Sequence, residues 1–144
     1  LLSDFFIKHS VIKHSVINFI LSFENPFLNV LGINLMRIWD IPPDRLCRLH
    51  LLGEHRELHA LWSIITNNKK GYAHHPETMR WRGKLKALYL RHEVLVEEMA
   101  KRGYKHHTPL DPTLATGEAI QDKLLNSYEE QVRLLKERGC DCRI

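Results

Sequence analysis

Residues 51–62, LLGEHRELHALW, set Glu54, His55, Arg56, Glu57 and His59 in a short apolar frame. Side chains of these types can ligate a metal, grip an anion, or form the wet face of a helix. The metal reading rests on His55 and His59, four apart with a glutamate between them. A zinc helix of the H-E-x-x-H kind needs its glutamate directly after the first histidine. Here the order is His55-Arg56-Glu57-Leu58-His59, which turns the carboxylate by about 100° around a helix and puts a cation beside the ion. A second set of ligand types is Cys140 and Cys142 with His106 and His107. Its C-x-C step is shorter than the usual zinc spacing and its histidines are adjacent. No metal is expected at either place, and no other cofactor.

The elements that must position these residues read as helices. Pro42 and Pro43 suit the first turn of a long helical pattern that ends at Asn67, Asn68 and Gly71. Within it Leu51, His55, Leu58 and Trp62 share one stripe, and His50, Glu54 and Glu57 share another. His55 thus reads equally as a partly buried, hydrogen-bonded histidine. A second helix is predicted from Pro76, with Glu77 in its acid-favouring first turn. Leu85, Leu88, His92, Leu95 and Met99 continue it as a buried seam with one polar interruption, and Lys101, Arg102 and Gly103 close it. Residues 104–117, with Pro109, Pro112 and Gly117, read as a loop. A last helix starts at Ser127, where Ser127 and Glu130 spell a capping box, and stops at Gly139. No strand pattern competes. The fold class expected is all-α: a compact single-domain bundle of about three main helices with long connecting loops.

Composition divides the chain near residue 36. Residues 1–35 contain no Arg and no Met, and carry a tandem pentad, IKHSV at 7–11 and 12–16. Two copies of five residues are too short for a structural repeat. Lys8 and Lys13 before VINFIL loosely imitate a signal peptide, but the apolar run is short and no small-residue cleavage site follows. Met36 is the first methionine. The expectation is that residues 1–35 are translated upstream sequence or a disordered arm, with the natural start at Met36. The alternative is a genuine apolar N-terminal arm. Residues 36–144 then form the helical domain. The formal charge of +4 lies entirely after residue 35, where 19 Lys and Arg face 15 Asp and Glu. That balance permits nucleic acid as a partner without demanding it. From Lys69 to Lys105 ten basic residues face four glutamates, with Trp81 and Tyr104 among them. A solvated helix face could carry the same run. Three cysteines in an odd set point to a reducing, cytoplasmic setting, and no stretch approaches the ~18 apolar residues of a membrane span.

Three stretches, MRIWDIPP at 36–43, LHLLGEHRELHALW at 49–62 and KLKALYLRHEVLVEEMAKRGY at 84–104, resemble the pyrimidine-dimer DNA glycosylase family, that of the phage UV endonuclease and its bacterial relatives. The resemblance runs from Met36 to at least Tyr104. Its most specific part is the spacing from Met36-Arg37 to His50 and on to Arg56-Glu57. The ending LLKERGCDCRI is similar to that of bacterial members, and residues 1–35 have no counterpart.

The resemblance implies helical proteins that bind UV-damaged duplex DNA, cleave the glycosidic bond at a cyclobutane pyrimidine dimer and break the strand by β-elimination. It implies that the nucleophile is the α-amino group of the mature first residue, here Met36, and that Glu57 assists. Arg37, His50 and Arg56 fall on DNA-binding positions. The chain would act as a monomer on damaged double-stranded DNA, without a membrane and without a cofactor. Two departures stand out. Ala60 occupies the position of a further DNA-binding arginine, and GCDCRI replaces an aromatic C-terminal tail. An alternative is a helical nucleic-acid-binding protein that keeps the scaffold without the chemistry. Without the resemblance, Glu57 reads as an exposed helix residue paired with a nearby cation.

Overall fold

The computed structural model describes residues 36–144. The tandem pentad, the signal-like run and the proposed arm lie outside the described residues. Among those described, a 3-10 turn (Pro43–Arg45) precedes α1 (Arg48–Thr66), α2 (Pro76–Trp81), α3 (Leu85–Lys101), a second 3-10 turn (Pro112–Leu114) and α4 (Tyr128–Glu137). There is no strand among them, and the fold is all-α. None of the described helices is long and apolar enough to cross a membrane.

The core is the seam between α1 and α3. Leu51, Leu58 and Leu61 of α1 meet Leu88 and Leu95 of α3, with Leu135 of α4, all fully buried. Each such side chain contributes about 1.5–3 kcal/mol relative to exposure. The helical stripes read from the sequence are those that pack: Leu51, Leu58 and Trp62 on α1, and Leu88, His92, Leu95 and Met99 on α3 are buried.

Into this core runs a non-helical segment, Met36 to Ile41. Ile38, Trp39 and Ile41 are buried, as is Met36. A buried non-helical backbone with no sheet partner must find other partners for its N–H and C=O groups. Each of the four helices supplies one. Glu57 of α1 accepts from the Arg37 N–H at 3.3 Å. Arg80 of α2 donates Nη2–H to the Ile38 carbonyl at 2.8 Å. Arg91 of α3 donates to the Ile41 carbonyl at 2.9 Å. Gln131 of α4 accepts from the Asp40 N–H at 2.9 Å. This accounts for two of the buried polar side chains, Arg80 and Gln131, which stand in as backbone partners for Ile38 and Asp40.

The two arginines are paired in turn. Arg80 meets Glu77 at 2.7 Å and Asp40 at 3.1 Å. Arg91 meets Glu54 at 2.7 Å. Of the stripe His50, Glu54 and Glu57, Glu54 is the member that enters the core. It is 2% exposed, and burial raises its carboxyl to about 7 against the pull of Arg91.

Element boundaries depart from the sequence reading in two places. The Pro42–Pro43 start yields only a 3-10 turn, because Leu46 turns extended to bury its side chain, and α1 restarts at Arg48. The helix expected from Pro76 onward is two helices. Arg82 is extended and Gly83 adopts φ +73°, a left-handed conformation that glycine tolerates. The break is held by the loop at 116–118. Glu118 N–H donates to the Gly83 carbonyl at 2.9 Å, and the carbonyls of Thr116 and Glu118 accept from Lys86 and Ala87. The loop thus caps α3, which has no side-chain cap of its own. The capping box at Ser127 and Glu130 is present, and Gly139, at φ +63°, follows the end of α4.

Candidate active site

Glu57 sits midway along α1, where the helix passes under Met36 and Arg37. Its carboxylate holds the backbone N–H of Arg37, one residue from Met36. Burial pushes the Glu57 carboxyl up to about 7, opposed by the Arg37 N–H and the charge of Arg56. A carboxyl poised there can hold or release a proton near neutrality, as general acid–base work requires. Arg56, the next residue back, is exposed and turned to solvent. Ala60, a helical turn further, is exposed.

Arg37 itself is 9% exposed. Its guanidinium donates to Asn126 Oδ1 at 2.6 Å and lies 4.9 Å from the centre of the Trp39 ring. Burial and the nearby charges of Arg138 and Arg80 draw its pKa below the usual arginine value, while Glu77 works the other way. Arg138, at the end of α4, lies 5.5 Å from the other partner of this stack, the same Trp39 ring. Trp39 therefore gathers two guanidinium groups beside the Met36 segment.

The second wall is residues 72–81. Tyr72 takes φ +60°, a conformation seldom adopted by a bulky side chain, and burial followed by the Glu57 charge raises its phenol. His75 caps α2, its Nδ1 accepting from the Glu77 N–H at 3.1 Å. Burial, with the nearby charge of Arg37, holds its imidazole down at about 4, so it is neutral at physiological pH. Glu77 is buried against Arg80 and the Trp81 indole N–H at 2.9 Å. Tyr72, His75, Asn126 and Trp39 were not singled out from the sequence. The visible signal for His75 was its place directly before Pro76, where a helix cap belongs.

The structure brings Met36, Arg37 and Glu57 together and leaves Arg56 on the adjacent surface. His50 lies on the same face of α1 as Glu57, about 10 Å along the axis. Its ring stands edge-on to Trp39 at 5.9 Å, and its Nδ1 faces the thiols of Cys47 at 3.2 Å and Cys142 at 3.3 Å. Burial, then Arg138, lowers its pKa.

His55 and His59 point away from Glu57. They meet His92 and His106, with Nε2 of His59 3.2 Å from that of His55 and 3.1 Å from that of His92. The sequence pairing of Cys140 and Cys142 with His106 and His107 does not form. The cysteines group with Cys47 and His50, and His106 joins the other histidines.

No curated protein and no solved structure matches the chain. The family model described as pyrimidine dimer DNA glycosylase matches residues 36–112, beginning at Met36 itself and running through α1 and the second wall. That is more than half of the chain, and with Glu57 seated beside the first matched residues, the chain belongs to the pyrimidine dimer DNA glycosylase family.

Proposed function

We propose that the chain, begun at Met36, excises cyclobutane pyrimidine dimers and cleaves the strand as an AP lyase, with the Met36 α-amine as nucleophile and Glu57 as its acid–base partner. The observation that carries this reading is the Glu57 carboxylate on the Arg37 N–H, half-buried and poised near pH 7. The start of the family match at Met36 supports the same first residue.

The chemistry follows from the groups. An unprotonated α-amine attacks C1′ of the damaged nucleotide as the glycosidic bond breaks, and the base leaves with the bonding pair. The nitrogen's lone pair then expels O4′, which takes a proton as the 4′ hydroxyl when the C1′–O4′ bond breaks, and the resulting protonated imine serves as the electron sink for removal of a C2′ proton and departure of the 3′ phosphate. With a pKa near 7.7–8.0 against about 10.4 for lysine, an α-amine is some hundreds of times richer in free base at pH 7. Glu57 stabilises the developing cation on sugar and imine and moves the proton during elimination. Arg56 holds a phosphate of the duplex, while Arg37 and Trp39 shape the floor beneath the reacting sugar.

In the 144-residue chain the Met36 nitrogen is an amide whose lone pair is delocalised into a carbonyl, and it forms no imine. The test compares that chain with a Met36-started form on dimer-containing and abasic duplexes. Strand cleavage is expected from the Met36-started form alone, and Glu57→Gln in that form should nearly abolish it while damaged-DNA binding persists. Binding without cleavage in every form would favour a non-catalytic DNA-binding scaffold.

A further inference from the structure

We propose that Cys47, His50, Cys140 and Cys142 hold a structural Zn(II) ion that fastens the C-terminal segment to the start of α1. One ligand atom from each residue lies within 4.8 Å of all the others. A tetrahedral zinc with Zn–S of about 2.3 Å and Zn–N of about 2.0 Å needs ligand separations of roughly 3.4–3.8 Å. The two contacts to His50 Nδ1, at 3.2 Å and 3.3 Å, are already close to that edge length. Nδ1 of a neutral imidazole carries a single lone pair or a single proton. It cannot satisfy two thiols, whereas one cation satisfies all three atoms.

The surroundings are those of a ligand set. The Cys47 backbone N–H donates to Cys142 Sγ at 3.1 Å, a bond that stabilises a thiolate. The Arg143 N–H donates to the Arg45 carbonyl at 2.7 Å, which lays the C-terminal segment beside the 3-10 turn that precedes α1 without help from the ion. All three thiols are half-buried and none is in a disulfide. Thiolate and imidazole donors in a tetrahedral set select Zn(II). The clamp would also fix the active-site floor, because His50 braces Trp39.

A second set makes the same case on an independent observation. His55, His59, His92 and His106 also bring one ring nitrogen each within 4.8 Å of the others. His92 is fully buried, and its Nδ1 lies 2.9 Å from the Glu93 carboxylate, an acceptor that favours the proton on Nδ1 and a lone pair on Nε2. That Nε2 faces His59 Nε2, which also faces His55 Nε2 and, at 3.3 Å, Thr108 Oγ1. One nitrogen cannot answer three such partners. The geometry points to a divalent transition metal at the centre, with Glu93–His92 as the carboxylate–histidine pair that orients a ligand. An all-imidazole set suits Zn(II), Cu(II) or Ni(II).

The experiment uses the 144-residue chain, purified reduced, stripped by chelator and reloaded with Zn(II) or Co(II). Metal per chain is measured by mass spectrometry of the ion, and Co(II) coordination by absorption. One ion per site is expected, together with a thiolate-to-cobalt charge-transfer band. Cys142→Ser should lose that band and one ion. His106→Asn should lose the other ion and keep the band. Zn(II) should protect Cys47, Cys140 and Cys142 from alkylation until chelator is added, a readout on the parent chain that does not depend on any variant folding. Diethyl pyrocarbonate modification of His55, His59 and His106 should be blocked in the same way. Thiols alkylated equally with and without Zn(II) overturn the cysteine site, and histidines modified equally overturn the histidine site. A Co(II) complex lacking any thiolate band likewise overturns the first.

Discussion

Glu57→Gln should make the protein more stable and less active at once. Burial lifts the Glu57 carboxyl from 4.5 to about 7. Between those values the folded chain keeps a proton that the unfolded chain has released. Stability therefore falls as pH rises from about 4.5 to about 7, and the penalty is fully developed above that. At about 1.4 kcal/mol per pKa unit, with some discount for partial exposure, the ionised carboxylate costs the fold on the order of 2–3 kcal/mol. A glutamine in its place never ionises, and its amide oxygen can still accept from the Arg37 N–H. Urea unfolding of the 144-residue chain and its Glu57→Gln variant gives the comparison. At a pH of about 8.5 the variant should be more stable by about 2 kcal/mol, and at about pH 5 the gap should shrink below about 1 kcal/mol. The same substitution in the Met36-started form should lower strand cleavage by roughly a hundredfold or more. A variant that is no more stable than its parent at the higher pH would refute the claim that the site holds its carboxyl under burial strain. A site that gains stability on losing its acid is one shaped for chemistry rather than for folding.

Other expectations follow from the same geometry. Arg56→Gln, at an exposed residue, should weaken damaged-DNA binding and lower the slope of log K against log salt by about one, measured by anisotropy titration; an unchanged slope would remove Arg56 from the interface. Glu54→Ala strips the partner from Arg91 and should cost about 3–5 kcal/mol in urea unfolding; a loss under about 1 kcal/mol would contradict the role of this pair in holding Ile41. Gly117→Ala sets a Cβ onto the Gly83 carbonyl at a left-handed φ. It should cost more than about 2 kcal/mol and speed amide exchange at Lys86 and Ala87, the N–H groups this loop caps.

How much of this was legible in the sequence depends on the range of the interaction. Helical stripes, the Ser127 capping box and the Asn67–Asn68 stop are local, set by side chains three or four apart, and they read directly. The Gly83 break did not read, because a glycine inside a helical pattern is ordinarily tolerated and its partner loop lies more than thirty residues on. The buried segment at 36–41 was invisible as such. Its partners are 20, 42, 50 and 91 residues away, and each looks like an ordinary surface residue in sequence. The stripe shared by His50, Glu54 and Glu57 carried no sign that Glu54 is buried against Arg91, for the same reason. Glu57 and Arg56 stood out only through the family resemblance, since the motif alone favoured an exposed ion pair. The ligand sets were misgrouped because spacing arguments see only neighbours. Cys142 meets His50 across 92 residues, and His59 meets His92 across 33.

The central claim is that an amine at Met36, served by Glu57, does the chemistry. Borohydride reduction of the Met36-started protein on an abasic duplex tests it most directly, with the trapped peptide located by mass spectrometry. A covalent adduct on the α-nitrogen of the first residue, absent from the 144-residue chain, is the expected result. An adduct on a lysine side chain, or equal trapping by the unprocessed 144-residue chain confirmed by intact mass, would contradict the account.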